Sequence, residues 1–174
     1  MDGPIEITPA TIKDATAISL VLRAFRDDPS LFQKPAAAVA LSINEFFVAR
    51  EGNGEIVGCI GLHFDAPELA EIYAAAALPK HQGEGVGRLL VAACIERATD
   101  NRVGVVWLAT MKAKYFARYG FQPMSRWELP RPVLRRKLRM VFEQPVGRWP
   151  GALFGRYTFM RRVLDHAATP SQSG

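Results

Sequence analysis

The run His81-Gln82-Gly83-Glu84-Gly85-Val86-Gly87-Arg88-Leu89-Leu90 constrains this chain more than any other stretch. Its three glycines alternate, after a strand-like segment and before a helix-like one. Glycine tolerates φ > 0 and lets a backbone come close to a ligand. A helix opening at Val86 aims several unpaired N–H groups into the loop before it. Loop and helix start together form an anion site, best suited to phosphate.

The spacing separates this loop from other phosphate loops. No Gly-x-x-x-x-Gly-Lys-Ser/Thr run exists, and the third glycine of a dinucleotide fingerprint falls one residue early, at Gly87. Gln82-x-x-Gly85-x-Gly87 instead resembles the pyrophosphate loop of the GNAT superfamily, the acyl-CoA-dependent N-acyltransferases. Its flanks resemble that superfamily too. Leu69 to Pro79 is similar to the fourth strand, and Val105 to Thr110 to the fifth. Ala113 to Phe121 looks like the next helix, closed by a Gly120-Phe121 corner. The features stand in the superfamily's order between Ile5 and Phe121.

The resemblance implies one α/β domain over residues 1–166. Its sheet would be mixed and mostly antiparallel, with splayed fourth and fifth strands and flanking helices. The acyl donor would be acetyl-CoA. Its pyrophosphate would lie on Gln82, Gly83, Glu84, Gly85, Val86, Gly87 and Arg88. Its pantetheine would run along Ala75, Ala76, Ala77 and Leu78, with Phe116 alongside. In members whose fourth strand begins Ala-Glu-Ile, as at residues 70–72, the glutamate draws the proton from the acceptor amine, and Glu71 inherits that role.

Glu71 also stands out on its own, as a charge inside an apolar strand where burial is costly. Strand alternation puts Glu71, Tyr73, Ala75 and Ala77 on one face unless a bulge intervenes. The demand on a base depends on the amine. Deprotonation at pH 7 costs about 4.6 kcal/mol for a lysine-like pKa of ~10.4 and about 1.4 for a terminal amine near ~8.

One position departs from the pattern. The tyrosine that protonates the departing thiolate in many members is replaced by Phe116, leaving neighbouring Tyr115 as the candidate acid. A thiol with pKa ~8.5 leaves readily, so water or Tyr119 could also serve. An aromatic-Phe pair after a Leu-x-Thr strand end gives a second, looser resemblance, to the acetyltransferase domain of N-acetylglutamate synthases. That resemblance implies an amino-acid-like acceptor. Its carboxylate would meet Arg23, Arg156 or Arg161, with Tyr73 also lining the acceptor site.

Composition bounds the rest. A chain of 174 residues, 49% hydrophobic, is long enough for one full core. Cys59 and Cys94 lack metal-ligand spacing and read as buried small hydrophobes in a reducing compartment. No metal site is expected. The N-terminus is unlike a signal peptide and no apolar run approaches the ~20 residues of a span, so a cytoplasmic protein off the membrane is expected. Residues 126–162 hold ten Arg/Lys against two Glu. That patch leaves a protein or RNA-borne amine open as acceptor. A homodimer and a catalytically dead acyl-CoA-binding module also remain open.

The local patterns predict elements along the whole length. A strand opens at Ile5, and a capping-box-like Thr11–Asp14 starts a helix that ends at Asp27-Asp28-Pro29. A short helix follows Pro35, and Gly52-Asn53-Gly54 joins two strands. Helices are expected near 85–99, 111–119 and 132–142, and strands near 122–127 and 157–164. Residues 144–155 read as loop and 167–174 as a disordered tail.

Overall fold

The computed structural model describes residues 4–28, 31–142 and 157–164. The expected loop at 144–155, the expected tail at 167–174 and Arg156 lie outside these residues. The early meander forms as predicted. β1 (Glu6–Pro9) pairs antiparallel with β2 (Phe46–Arg50), and β2 with β3 (Ile56–Ala66). In the β2–β3 turn Asn53 Oδ1 accepts a hydrogen bond from Glu55 N at 2.8 Å, the local side-chain closure that favours Asn there. β4 (Leu69–Ala77) continues antiparallel to β3.

β5 (Val105–Thr110) runs parallel to β4. β6 (Gln122–Pro123) and β5 both pair antiparallel with β7 (Thr158–Val163). The seven strands make one sheet in the order β1-β2-β3-β4-β5-β7-β6, mixed and mostly antiparallel.

Helices cover both faces. α1 (Ala15–Arg23) and α2 (Ala36–Leu41) lie over Phe46, Val48, Cys59 and Ala76. α3 (Val86–Asp100) and α4 (Ala113–Ala117) cover the opposite face, over Ile60, Leu62, Ile72, Val106 and Leu108. α5 (Arg131–Phe142) packs Val133 against Trp107 on the α1 side. Each fully buried Leu, Ile or Phe is worth about 1.5–3 kcal/mol, so the two faces carry most of the stability. Cys59 and Cys94 are fully buried inside them, as expected. Burial pushes the Cys59 thiol up to about 12 and raises Cys94 as well.

Three boundaries differ from expectation. α1 starts at Ala15, because Thr11 and Asp14 close a capping box around a 3-10 turn at Ile12–Asp14. It ends at Arg23, and tighter bonds such as Phe25 N to Leu22 O carry the chain on to Asp28. The strand expected over 122–127 stops at Pro123. Beyond it Ser125 and Glu128 form a second capping box around a 3-10 turn, and local side-chain bonding wins over strand pairing.

Candidate active site

The glycine loop leads into a helix start with no side-chain cap. Gly83 and Gly85 have φ +93° and +86°, a conformation that a side chain would strain. No side chain caps α3, and its backbone bonding begins with Leu89 N to Gly85 O at 3.1 Å. The N–H groups of Val86, Gly87 and Arg88 therefore lack the usual side-chain cap at a positive helix end. A Cβ placed on Gly83 would meet nothing within 4 Å, so ligand atoms can approach. The loop is tied down from behind. Buried His81 has Nδ1 2.9 Å from Glu84 Oε2, and Gln82 Nε2 donates to Ala77 O at 3.2 Å. The Tyr115 hydroxyl sits over Gly87, where a Cβ would collide with it.

Next to the loop the sheet opens. β4 and β5 pair only through Leu69–Val105, Ala70–Val106 and Glu71–Trp107. From Ile72 onward the β5-facing edge of β4 has no strand partner among the described residues. On the β3 side, Gly61 opposes Tyr73 but Cys59 opposes Ala76, so Ala74 and Ala75 bulge, with Ala74 at φ +51°. The bulge corrects the expected alternation. Glu71, Tyr73 and Ala76 share the α1 face, whereas Ala77 joins Ile72 on the α3 face and Ala75 is exposed. A cleft lined by Ala75, Ala77, Gln82, Leu108, Thr110 and Phe116 runs through the gap.

A second cavity of about 210 Å³ adjoins this cleft on the α1 and α5 side. Phe32, Tyr157 and Phe159 form apolar walls, and Lys34, Arg126 and Lys137 bring positive charge. Glu71 lies at its floor, only 1% exposed. One carboxylate oxygen is bound by Arg136 and the other by Lys137, both from α5. Arg136 also donates to Asp65 Oδ1 at 2.7 Å, and Trp107 Nε1 donates to Asp65 Oδ2 at 2.8 Å. Two carboxylates shut off from solvent are thus neutralised by two partly exposed cations. Burial works against the Arg136 charge, but Glu71 and Asp65 outweigh it and hold its pKa above the ordinary value.

Tyr73 borders the cleft and this cavity together. Its hydroxyl donates to Glu45 Oε2 at 2.5 Å, and Glu45 Oε1 is 2.8 Å from His63 Nδ1. Burial, then the bond to Glu45 and its charge, raises the Tyr73 phenol. Burial alone would raise Glu45, but the hydrogen bonds from His63 and Tyr73 bring it below the usual carboxylate range.

A family model described as Acetyltransferase (GNAT) family matches residues 18–121, well over half of the chain. The chain belongs to that family. An uncharacterized N-acetyltransferase of Chlorobaculum tepidum is 28% identical over 126 residues, 72% of this chain and 81% of its own length. An amino-acid acetyltransferase of Mycobacterium tuberculosis is 32% identical over 93 residues, 52% of this chain and 53% of the relative, so the match spans about half of that protein. A Mycobacterium tuberculosis protein solved in complex with CoA and NLQ shares the fold at TM-score 0.76 and 24% identity, over 92% of this chain and 99% of its own. N-acetylglutamate synthase from Neisseria gonorrhoeae, complexed with coenzyme A and N-acetyl-glutamate, matches at TM-score 0.77 and 23% identity. That match covers 95% of this chain and 36% of the synthase chain.

The GNAT elements collect most of the predicted residues into one region, but not all. Gln82, Phe116, Ala75, Ala76 and Ala77 line the cleft. Leu78 follows directly on β4, and Gly83, Glu84, Gly85, Gly87 and Arg88 form the loop and first turn of α3. Val86 turns its side chain into the core and offers the loop only its N–H. Tyr115 stands at Gly87, whereas Phe116 supplies the cleft wall. Arg23 is exposed on α1 and absent from the walls of both cavities. Arg161 pairs with Glu128 at 2.6 Å. The cations at the second cavity are Lys34, Arg126 and Lys137. Two of these lie in the basic segment noted in the sequence; Lys34 carried no signal there. No helix among the described residues is long and apolar enough to cross a membrane, and no group of three His, Cys, Asp or Glu among them could hold a metal ion.

Proposed function

We propose that this chain transfers the acetyl group of acetyl-CoA to the amine of a small acceptor bearing a carboxylate, an amino acid or a related compound. The observation that carries the proposal is the cavity beside the β4–β5 gap, with apolar walls and with Lys34, Arg126 and Lys137 around it. Cations at a cavity that is otherwise largely apolar select an anionic group on the acceptor. The relative named an amino-acid acetyltransferase and the neighbour solved with N-acetyl-glutamate support the same reading.

The donor would bind with its pyrophosphate on the uncapped start of α3 and its pantetheine along the open edge of β4. The acetyl carbonyl would then lie at the Ala74–Ala75 bulge, where a backbone N–H can polarise it as an oxyanion hole does. Attack by the neutral amine expels a thiolate that needs little help to leave. Glu71 would act here as the anion that holds Arg136 and Lys137 at the cavity floor, since both of its oxygens are bound by them. Turning these two cations inward also removes charge from the α5 face on which a polyanionic acceptor would dock.

The test is thiol release from acetyl-CoA against the twenty amino acids, polyamines and aminoglycosides. Amino acids are expected to support turnover, and their decarboxylated amines to lose it through a raised KM. Turnover confined to polyamines or to protein amines overturns the proposal.

A further inference from the structure

Tyr73 is wedged at the point where β4 leaves β5. Its ring lies on Gly61, where even a Cβ would come to 2.5 Å of a ring carbon. Phe46 meets it edge-on, with ring centroids 5.4 Å apart. The ring is thus fixed while Tyr73 lines the acceptor cavity. It also faces a third cavity, lined by Glu45, His63, Ser42, Arg136 and Arg139. The Glu45 side chain lines that cavity and is 29% exposed to solvent. Tyr73 therefore stands between the two cavities, with its hydroxyl bonded to the Glu45 carboxylate of the third. Glu71, the other carboxylate nearby, has both oxygens bound by cations.

We propose that Tyr73 and Glu45 take the proton from the acceptor amine, with His63 positioning Glu45. The inference rests on the acetyl-transfer reading above. As the amine nitrogen bonds to the acetyl carbon its remaining N–H becomes acidic. That proton passes to the Tyr73 oxygen while the phenol proton passes to Glu45 Oε2. The C–S bond then breaks, its electron pair leaves with sulfur as the CoA thiolate, and Glu45 releases its proton to water in the third cavity. The phenol is neutral before and after, in keeping with its raised pKa. Glu45 ends where it began. His63 Nδ1 keeps the second oxygen of Glu45 engaged. The charges facing this path are Lys34 beside the Tyr73 ring and Glu45, Asp65 3.9 Å from His63 Nε2, Glu71, and Arg136 and Arg139 in the cavity wall.

The experiment measures kcat and kcat/KM from pH 5.5 to 10 for the wild type, Tyr73→Phe, Glu45→Gln, His63→Gln, His63→Ala and Glu71→Gln. Acetyl-CoA is the donor, and the acceptor is the amino acid that releases thiol fastest. Calorimetric acetyl-CoA affinity and Tm are recorded for each. Tyr73→Phe and Glu45→Gln are expected to lower kcat about 10²-fold with donor affinity unchanged, the loss shrinking at high pH as hydroxide substitutes for the relay. His63→Gln, which can still donate to Glu45, is expected to keep most of the rate that His63→Ala loses. Wild-type kcat and pH profile in both Tyr73→Phe and Glu45→Gln overturn the proposal. A loss of kcat confined to Glu71→Gln overturns it too and assigns the proton to Glu71. Wild-type protein that binds acetyl-CoA but acetylates no amine overturns the acetyl-transfer reading itself, a result distinct from an active wild type with indifferent variants.

Discussion

Arg136 reaches from α5 to Asp65 on β3, Nη2 to Oδ1 at 2.7 Å, although 71 positions separate them in the chain. The same guanidinium binds Glu71. Breaking a buried pair strands the partner's charge, which costs about 3–5 kcal/mol. Arg136→Ala is therefore expected to lower unfolding stability by about that amount in urea titration. Combining it with Asp65→Asn should cost less than the sum of the two single changes, because one of the two carboxylates left without Arg136 is then neutral. Strict additivity would show that the pair is not coupled.

The uncapped start of α3 gives a second expectation. Gly85→Val places a β-branched side chain at φ +86° beside the loop that would hold pyrophosphate. Affinity for CoA should fall at least about tenfold, since orphan N–H groups and the helix end supply the anion site. Calorimetry on CoA and on dephosphorylated pantetheine separates the effects. Pantetheine should bind the variant almost as well as the wild type, and equal losses for both would place the damage elsewhere.

The order of elements was legible because each rests on local chemistry. The Gly83-to-Gly87 loop, Gly120 and the Asn53 turn owe their form to side chains or φ values within a few residues. The Glu45–His63 contact is different. It spans 18 positions and depends on the β2–β3 register, which no local spacing encodes. The bulge at Ala74–Ala75 is hidden in the sequence for a related reason. In a run of four alanines every side chain is alike, so periodicity cannot tell a bulged strand from a regular one. The inward turn of Arg136 and Lys137 was hidden inside a basic segment that resembles a solvated surface.

Asp14 ties the N-terminal turn to β2. Its Oδ2 accepts from Thr11 N at 2.8 Å and pairs with Arg50 Nη2 at 2.7 Å. Burial raises its pKa, but the Arg50 and Thr11 hydrogen bonds more than offset that, and the folded value is lowered. A carboxylate depressed in the folded state stabilises above its unfolded pKa of ~3.9 and loses that contribution as pH falls through the folded value. Asp14→Asn should therefore lower Tm clearly at pH 7, and the difference should shrink below about pH 4. A difference that is flat with pH would mean that the Asp14 charge plays no part.

Lys137 belongs both to the Glu71 charge network and to the cavity proposed above to take the acceptor. Its ammonium also lies 5.4 Å from the centre of the Trp107 ring, which limits where it can point. Replacing it with Met keeps much of the apolar stem and removes the charge. If the ammonium meets an acceptor carboxylate, the loss of one charge-assisted hydrogen bond, about 1.5–3 kcal/mol, should raise KM for an amino acid by roughly ten- to a hundredfold. KM for its decarboxylated amine should change little, so the preference between the two collapses. Lys137→Arg should restore part of it. The measurement is the ratio of kcat/KM for the two amines, which cancels any shared loss from perturbing Glu71. An unchanged ratio would assign carboxylate recognition to Lys34 or Arg126 instead.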